Sequence, residues 1–102
     1  MTEVNLESIM GLIMNSGEAK SNAMEAIAAA KKKDFNLASS ELEKAQASLI
    51  KAHKSQTDLL TREAQGDKIE LTLLTVHSQD HLMTAITFVD LAKEIVALYQ
   101  SR

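Results

Sequence analysis

Apolar and small residues recur along most of the chain at alternating steps of three and four, which is the spacing of one face of a helix. Two changes of composition, at KKKDFN and REAQGDK, interrupt this spacing, and no proline adds a further break. The sequence therefore predicts three long helices. The core-facing positions of the first two are Ile9, Leu12, Ser16, Ala19, Ala23, Ala26 and Ala30, and then Phe35, Ala38, Leu42, Ala45, Leu49, Ala52, Gln56 and Leu59.

Capping residues mark the predicted ends of these helices. Asn5 and Asp34 are the candidate N-caps of the first and second helices. Gly66 supplies a loop, after which Asp67 is the candidate N-cap of a third helix that runs to about Tyr99. The segment KIELTLL alternates as a strand does, but a lone strand leaves its backbone groups unpaired, so the sequence favours a helix there as well.

The fold class that these elements predict is all-α. Short loops between long helices indicate an antiparallel three-helix bundle, and the 102 residues fit a single domain, residues 1–102. A chain of this size builds a modest core of its own, so oligomerisation is a plausible further source of stability.

The third helix shows two apolar seams where the other helices show one. A helix that is apolar on two sides needs two sets of neighbours, and the partner helices of one chain cover only one of them. The pattern therefore predicts that copies of the chain associate through their third helices; a trimer is favoured, with a dimer or tetramer still open. The two seams are Ile69, Leu73, Val76, Asp80, Met83 and Thr87, and His77, His81, Thr84, Phe88, Leu91, Ile95 and Leu98.

Composition excludes several classes of protein. The formal net charge is −3 and the one basic block is Lys31 to Lys33, which argues against a nucleic-acid partner. The absence of cysteine excludes disulfides and thiolate metal sites. The start MTEVNLES lacks the order of a signal peptide, and no apolar run approaches the roughly 18 residues of a membrane span. A cytoplasmic chain is the expectation.

Asp80 is a carboxylate on an otherwise apolar seam. On a threefold axis three copies of it would converge, and like charges at close range raise one another's pKa or require a cation. The alternative is a single polar residue that fixes the register of the association. The residues alone slightly favour the second interpretation.

His77 and His81 are four residues apart and share a helix face. The spacing suits a metal pair, but no zincin glutamate or third ligand accompanies it. His77 is also a candidate acceptor of a phosphoryl group, since imidazole is nucleophilic and largely neutral near pH 7. Partial burial at a subunit edge would also account for both residues. His53, on the second helix, is best explained by packing or a hydrogen bond.

Three stretches of the chain, VHSQDHLMTA, MGLIMNSGEAKS and KAHKSQTDLL, resemble the enzyme IIA component of the lactose/cellobiose (N,N'-diacetylchitobiose) family of the bacterial phosphoenolpyruvate-dependent sugar phosphotransferase system. The resemblance extends from about Leu6 to Leu98. It implies a homotrimer of three-helix subunits.

The resemblance also implies a role for each residue of the signature. His77 would accept a phosphoryl group from the phosphocarrier protein HPr and pass it to a cysteine of the cognate enzyme IIB, which serves the membrane permease, enzyme IIC. Asp80 would hold one magnesium ion per trimer on the threefold axis, which places metal binding above the register-only interpretation. His81 would support the phosphoryl group. Apart from the resemblance, the phosphoryl oxygens need hydroxyl or amide donors, and Ser78 and Gln79 are nearby candidates.

Two functions of different classes follow. The first is a phosphocarrier that serves the uptake of a β-disaccharide such as cellobiose, chitobiose or lactose. The second is a metal-stabilised structural module of helices without covalent chemistry. His53 and Gln56 match the A-H-x-x-Q pattern of the family, and neither receives a specific role from the sequence.

Overall fold

The protein is a rod of three long helices. The computed structural model describes residues 2–102, which form α1 (Glu3–Lys31), α2 (Phe35–Ala64) and α3 (Leu73–Gln100). The rod measures 52 × 19 × 18 Å, and within residues 2–102 there is no strand. The all-α class with three helices, predicted from the sequence, is confirmed.

The first two helices begin at residues whose side chains accept a hydrogen bond from the first turn. Asp34 Oδ1 accepts from the backbone N–H of Leu37 at 3.2 Å, so the predicted cap of α2 is confirmed. The predicted cap of α1 is wrong, because Thr2 Oγ1 accepts from the backbone N–H of Asn5 at 3.1 Å and the helix begins at Glu3. Asn5 itself is buried and its side-chain oxygen accepts a hydrogen bond from Arg62.

The third helix begins six residues later than Asp67, so this predicted cap is also wrong. The backbone N–H of Asp67 donates to the carbonyl of Arg62 at 3.0 Å, and Gly66 adopts a positive φ of 101°. This is the Schellman arrangement that ends a helix, and it commits Asp67 to the end of α2. Thr72 caps α3 instead, accepting from the backbone N–H of Thr75 at 3.2 Å.

The alternating segment that follows Asp67 is neither the rejected strand nor the predicted start of a helix. Residues 67–72 connect α2 to α3 without regular structure. Ile69 is partly buried and packs against the core, whereas Leu71 is 86% exposed. The alternation therefore reflects an extended connection with one anchored side chain.

Most of the positions of α1 and α2 that were predicted to face the core are buried in the structure. All seven predicted positions of α1 are buried. In α2, the predicted residues Ala38, Ala45, Leu49, Ala52 and Leu59 are buried, and the remaining predicted positions are partly buried. Alanine is common on both faces, which lets the helices approach closely.

The face of α3 that enters this core is neither of the two predicted seams. This face contains several small residues, whereas the two seams were predicted mainly from the positions of larger apolar side chains. The first seam, which contains Asp80, lies on the opposite side of α3, because Asp80 is two positions after the buried Ser78 and each position turns the helix by about 100°. Phe88 and Ile95 of the second seam pack at the edge of the core. The buried residues are Thr75, Ser78, Leu82, Ala85, Val89, Ala92 and Val96.

The helices are also too polar to be membrane spans. Within the described part of the chain, none is long and apolar enough to cross a bilayer.

Candidate functional site

His77 and His81 form a hydrogen-bonded pair on the surface of α3. Their Nε2 atoms lie 3.1 Å apart, and the rings meet edge to face with centroids 4.4 Å apart and planes at 84°. Their spacing of four residues brings them to the same side of the helix, as the sequence predicted. His77 is exposed and His81 is partly buried. The outer imidazole, of His77, is therefore accessible from solvent, and the inner one, of His81, is hydrogen-bonded to it.

Lys20 of α1 completes the pair from the neighbouring helix. Its Nζ lies 3.4 Å from Nδ1 of His81. Burial lowers the pKa of His81 below its ordinary value of 6.5, and the positive charge of Lys20 and the neighbouring His77 lower it further, while Asp80 acts in the opposite direction. His81 is consequently neutral at pH 7, which suits a hydrogen-bonding role within the pair.

Close packing of α1 against α3 brings Lys20 to the histidines. Ala19 and Ala23 flank Lys20 on α1 and are fully buried in the same core cluster as Leu82 and Ala85 of α3. Small side chains at these positions reduce the distance between the helix axes. Lys20 lies at the edge of this contact, where its ammonium group reaches His81 and remains partly exposed.

An apolar hollow adjoins His77 on the exposed side of α3. It has a volume of about 550 Å³ and is lined by Leu73, Leu74, Val76, His77 and Asp80. Leu73 is 86% exposed and Val76 is 48% exposed. A large apolar surface left open to solvent is typical of a protein-binding surface.

Asp80 is the carboxylate that lines the hollow beside His77. Within residues 2–102 no group of three or more His, Cys, Asp and Glu side chains is placed to hold a metal ion. One chain therefore supplies Asp80 as a single carboxylate, which is insufficient for a divalent cation that takes six or more oxygen ligands. A magnesium site at Asp80 requires carboxylates from further copies of the chain.

The two nearby candidates for donors to the phosphoryl oxygens point elsewhere. Ser78 is fully buried, and its hydroxyl donates to the backbone carbonyl of Thr75 at 2.6 Å. Gln79 faces α2, where its side-chain oxygen accepts from Gln56 Nε2 at 2.7 Å. Within one chain, neither side chain serves His77. Gln56 therefore has a structural contact that the sequence did not predict.

His53 lies outside the histidine pair. It lines a different hollow, between α2 and α3, together with Ile50, Ile86 and Asp90. His53 and His77 therefore line different hollows of the one chain. Lys20 was missed because helix periodicity does not give the register between two helices.

Comparison with known proteins agrees with this fold. A crystal structure of the cellobiose-specific enzyme IIA of the phosphotransferase system (PTS) from Bacillus anthracis superimposes with a TM-score of 0.94 at 42% identity, over 99% of this chain and 92% of that one. The IIA(chitobiose)–HPr complex of the N,N'-diacetylchitobiose branch of the Escherichia coli system matches with a TM-score of 0.78 at 35% identity, over 99% and 97% of the two chains. These matches place the fold among PTS enzyme IIA proteins.

The sequence narrows the class to one family. The family model described as PTS system, Lactose/Cellobiose specific IIA subunit, matches residues 7–100. The lichenan-specific phosphotransferase enzyme IIA component of Bacillus subtilis is 49% identical over 100 residues, which cover 98% of this chain and 91% of the relative. The chain belongs to the lactose/cellobiose-specific IIA family, as its signature residues indicated.

Proposed function

We propose that the chain is a phosphocarrier that accepts a phosphoryl group on His77 from HPr and passes it to a cysteine of its enzyme IIB. The observation that supports this assignment best is the placement of His77, whose imidazole is exposed on the surface of α3 and hydrogen-bonded to His81. An acceptor that two different proteins must reach in turn has to lie on the surface.

The transfer is a pair of substitutions at phosphorus. A nitrogen lone pair of His77 forms the new N–P bond while the N–P bond to the donor histidine of HPr breaks, and that electron pair stays on the donor nitrogen. In the second step the thiolate of the enzyme IIB cysteine forms an S–P bond and the His77 N–P bond breaks. Such transfers pass through a loose transition state, so positioning supplies much of the catalysis.

Relatives support the choice of partners. The similar E. coli structure is a complex of IIA(chitobiose) with HPr. Names of relatives mention lichenan and cellobiose, which fits a β-glucan or β-disaccharide as the transported sugar. The carrier, a single domain of residues 1–102, is cytoplasmic in this scheme; it meets HPr and enzyme IIB there and serves the membrane permease, enzyme IIC, only through enzyme IIB.

The working form in this proposal is a homotrimer of antiparallel bundles. Helices of 28 to 30 residues span about 45 Å, and a rod 52 Å long that holds three of them supports a reversal of direction at each loop. The exposed seam of α3 opposite the core leaves Val76 at 48% and Met83 at 56% exposure. In the trimer, the seams of the three chains would contact one another and bury these apolar side chains.

One magnesium ion per trimer belongs to the same proposal. Three Asp80 carboxylates would meet on the threefold axis, and their mutual repulsion is relieved by a divalent cation with oxygen ligands. The ion would neutralise the interface and take no part in the transfer at His77.

Intact-mass spectrometry tests the carrier function. Wild type and His77→Ala are incubated with phosphoenolpyruvate, enzyme I and HPr, and His53→Ala is the matched control because His53 is an exposed histidine outside the pair. The expected result is one acid-labile phosphoryl adduct on wild type and on His53→Ala, and none on His77→Ala. An adduct on His77→Ala would move the acceptor to another histidine. The absence of any adduct would favour the second function, a structural helical module without covalent chemistry.

A further inference from the structure

The hydrogen bond between His77 and His81 can run in either direction. A single proton lies between the two Nε2 atoms, which are 3.1 Å apart, so one imidazole donates it and the other accepts. If His77 donates, its Nε2 carries a proton and has no lone pair for attack. If His81 donates, Nε2 of His77 is unprotonated. The pair alone does not decide between these two arrangements.

Lys20 decides between them. An ammonium group has N–H donors and no acceptor, so at 3.4 Å its Nζ requires an unprotonated Nδ1 on His81. With Nδ1 unprotonated, the ring of His81 has its proton on Nε2, from which it is donated to His77. His77 accepts at Nε2 and keeps its own proton on Nδ1. The protonated nitrogen of a histidine is set in this way by the hydrogen bond that the other nitrogen makes.

We propose that Lys20 is a positioning residue that fixes the direction of the His81–His77 hydrogen bond and so keeps Nε2 of His77 available as a nucleophile. Lys20 does not touch His77 and acts only through His81. This inference rests on the proposed phosphocarrier function for its consequence, although the tautomer itself is a property of the unphosphorylated chain. It also gives α1 a part in the reaction.

The arrangement also suits the step that follows. When the lone pair of His77 Nε2 turns from His81 to phosphorus, the N–H of His81 loses its acceptor. That N–H remains beside the new N–P bond and can donate to an oxygen of the arriving phosphoryl group. Reversed tautomers would present an unprotonated His81 nitrogen to those oxygens instead, and two acceptors repel.

The test compares Lys20→Met with Lys20→Arg, and Lys93→Met is the matched control. Methionine keeps the length of the side chain and removes the donor, whereas arginine restores a cation with donors only. Lys93 is an exposed lysine that makes one side-chain hydrogen bond, to Gln46 at 3.0 Å, away from the histidines. Circular dichroism first establishes that each variant is helical.

The first measurement is the tautomer of each histidine in the unphosphorylated protein. Two-bond ¹H–¹⁵N correlation spectra, recorded at one pH, distinguish protonated from unprotonated ring nitrogens. Wild type, Lys20→Arg and Lys93→Met should show His77 protonated on Nδ1 and His81 on Nε2. Loss of one hydrogen bond in Lys20→Met should shift the tautomer ratio by about two- to tenfold. An unchanged ratio in Lys20→Met would overturn the proposal.

The second measurement is the single-turnover rate of phosphoryl uptake from phosphorylated HPr. Lys20→Met should be slower by about the same two- to tenfold factor, and Lys20→Arg should recover most of the rate. A slower Lys20→Met with wild-type tautomers would also overturn the proposal, since Lys20 would then act by charge or packing. A wild-type chain that takes up no phosphoryl group would instead contradict the carrier function, and the spectra would still decide whether Lys20 sets the tautomer.

Discussion

Lys33 and Gly66 occupy equivalent positions just after consecutive helices, and both have a positive φ, of 63° and 101° respectively. In each case the backbone N–H of the following residue makes the hydrogen bond of a Schellman motif. The N–H of Asp34 donates to the carbonyl of Ala29, and the N–H of Asp67 donates to the carbonyl of Arg62. Glycine adopts this conformation without a steric penalty, whereas a side chain does not. The end of α1 is therefore strained in a way that the end of α2 is not.

Replacing Lys33 with glycine should stabilise the protein. Relief of the left-handed strain exceeds the greater freedom that glycine gives to the unfolded chain, so the free energy of unfolding should rise by about 0.5–1 kcal/mol. Urea denaturation at a fixed protein concentration measures the change. Lys33→Ala is the control, because it removes the charge and keeps a Cβ; stabilisation of that variant to the same extent would mean that charge, and not backbone strain, is responsible.

The hydrogen bond from Gln56 to Gln79 should stabilise the contact of α2 with α3. Its length is 2.7 Å and both side chains are partly buried, so either substitution to alanine should lower the free energy of unfolding by about 1 kcal/mol. A double-mutant cycle isolates the pair, and a positive coupling energy is expected. Phosphoryl uptake should persist in both variants because neither side chain reaches His77. Strictly additive effects would show that the contact contributes nothing.

The faces of α1 and α2 could be predicted from the sequence because each of these helices packs through one stripe. The face of α3 could not, because small residues such as Ser78 and Ala85 form the buried stripe while Val76 and Met83 remain exposed. Hydrophobicity indicates which residues avoid water, and it does not say whether the same chain or another copy covers them. The start of α3 was missed because Asp67 has the residue type of an N-cap but completes the end of α2.

Two of the three side chains in the histidine site, those of His77 and His81, could be predicted from the sequence. A spacing of four residues is enough to bring His77 and His81 together, because both belong to one helix. Lys20 is 61 residues from His81 and reaches it through the packing of α1 on α3, which local spacing does not encode. Ser78 and Gln79 follow His77 directly in the sequence. Their side chains point away from His77, because successive residues on a helix point in different directions.

Replacing Asp80 with leucine should separate trimer formation from metal dependence. If the proposed trimer holds a divalent ion at Asp80, removal of that ion with EDTA would leave three carboxylates unscreened, so we expect the wild-type trimer to weaken. Asp80→Leu replaces converging charges with apolar contact and should remain a trimer whether or not EDTA is present. Sedimentation equilibrium with and without EDTA measures both effects.

Asp90→Leu is the control for that experiment. Asp90 is also on α3 but lies beside the hollow next to α2, away from the exposed seam. It should keep the wild-type response to EDTA. Dissociation of Asp80→Leu under all conditions would show that the cation, and not the apolar seam, provides most of the association.

His81 should make the stability of the protein depend on pH in one direction. Burial, followed by Lys20 and His77, lowers the pKa of His81 in the folded chain below 6.5, whereas the unfolded chain regains the ordinary value. The unfolded state therefore binds the proton more readily, and the free energy of unfolding should fall as the pH falls through 6.5 and below, with this contribution complete above that range. Urea denaturation at a series of values from about pH 5 to about pH 8 measures the slope.

His81→Gln should flatten the slope below pH 6.5, and Lys20→Met should reduce it because the pKa of His81 rises when the cation is removed. Lys93→Met should retain the wild-type slope, and a wild-type slope in His81→Gln would assign the pH dependence to other groups.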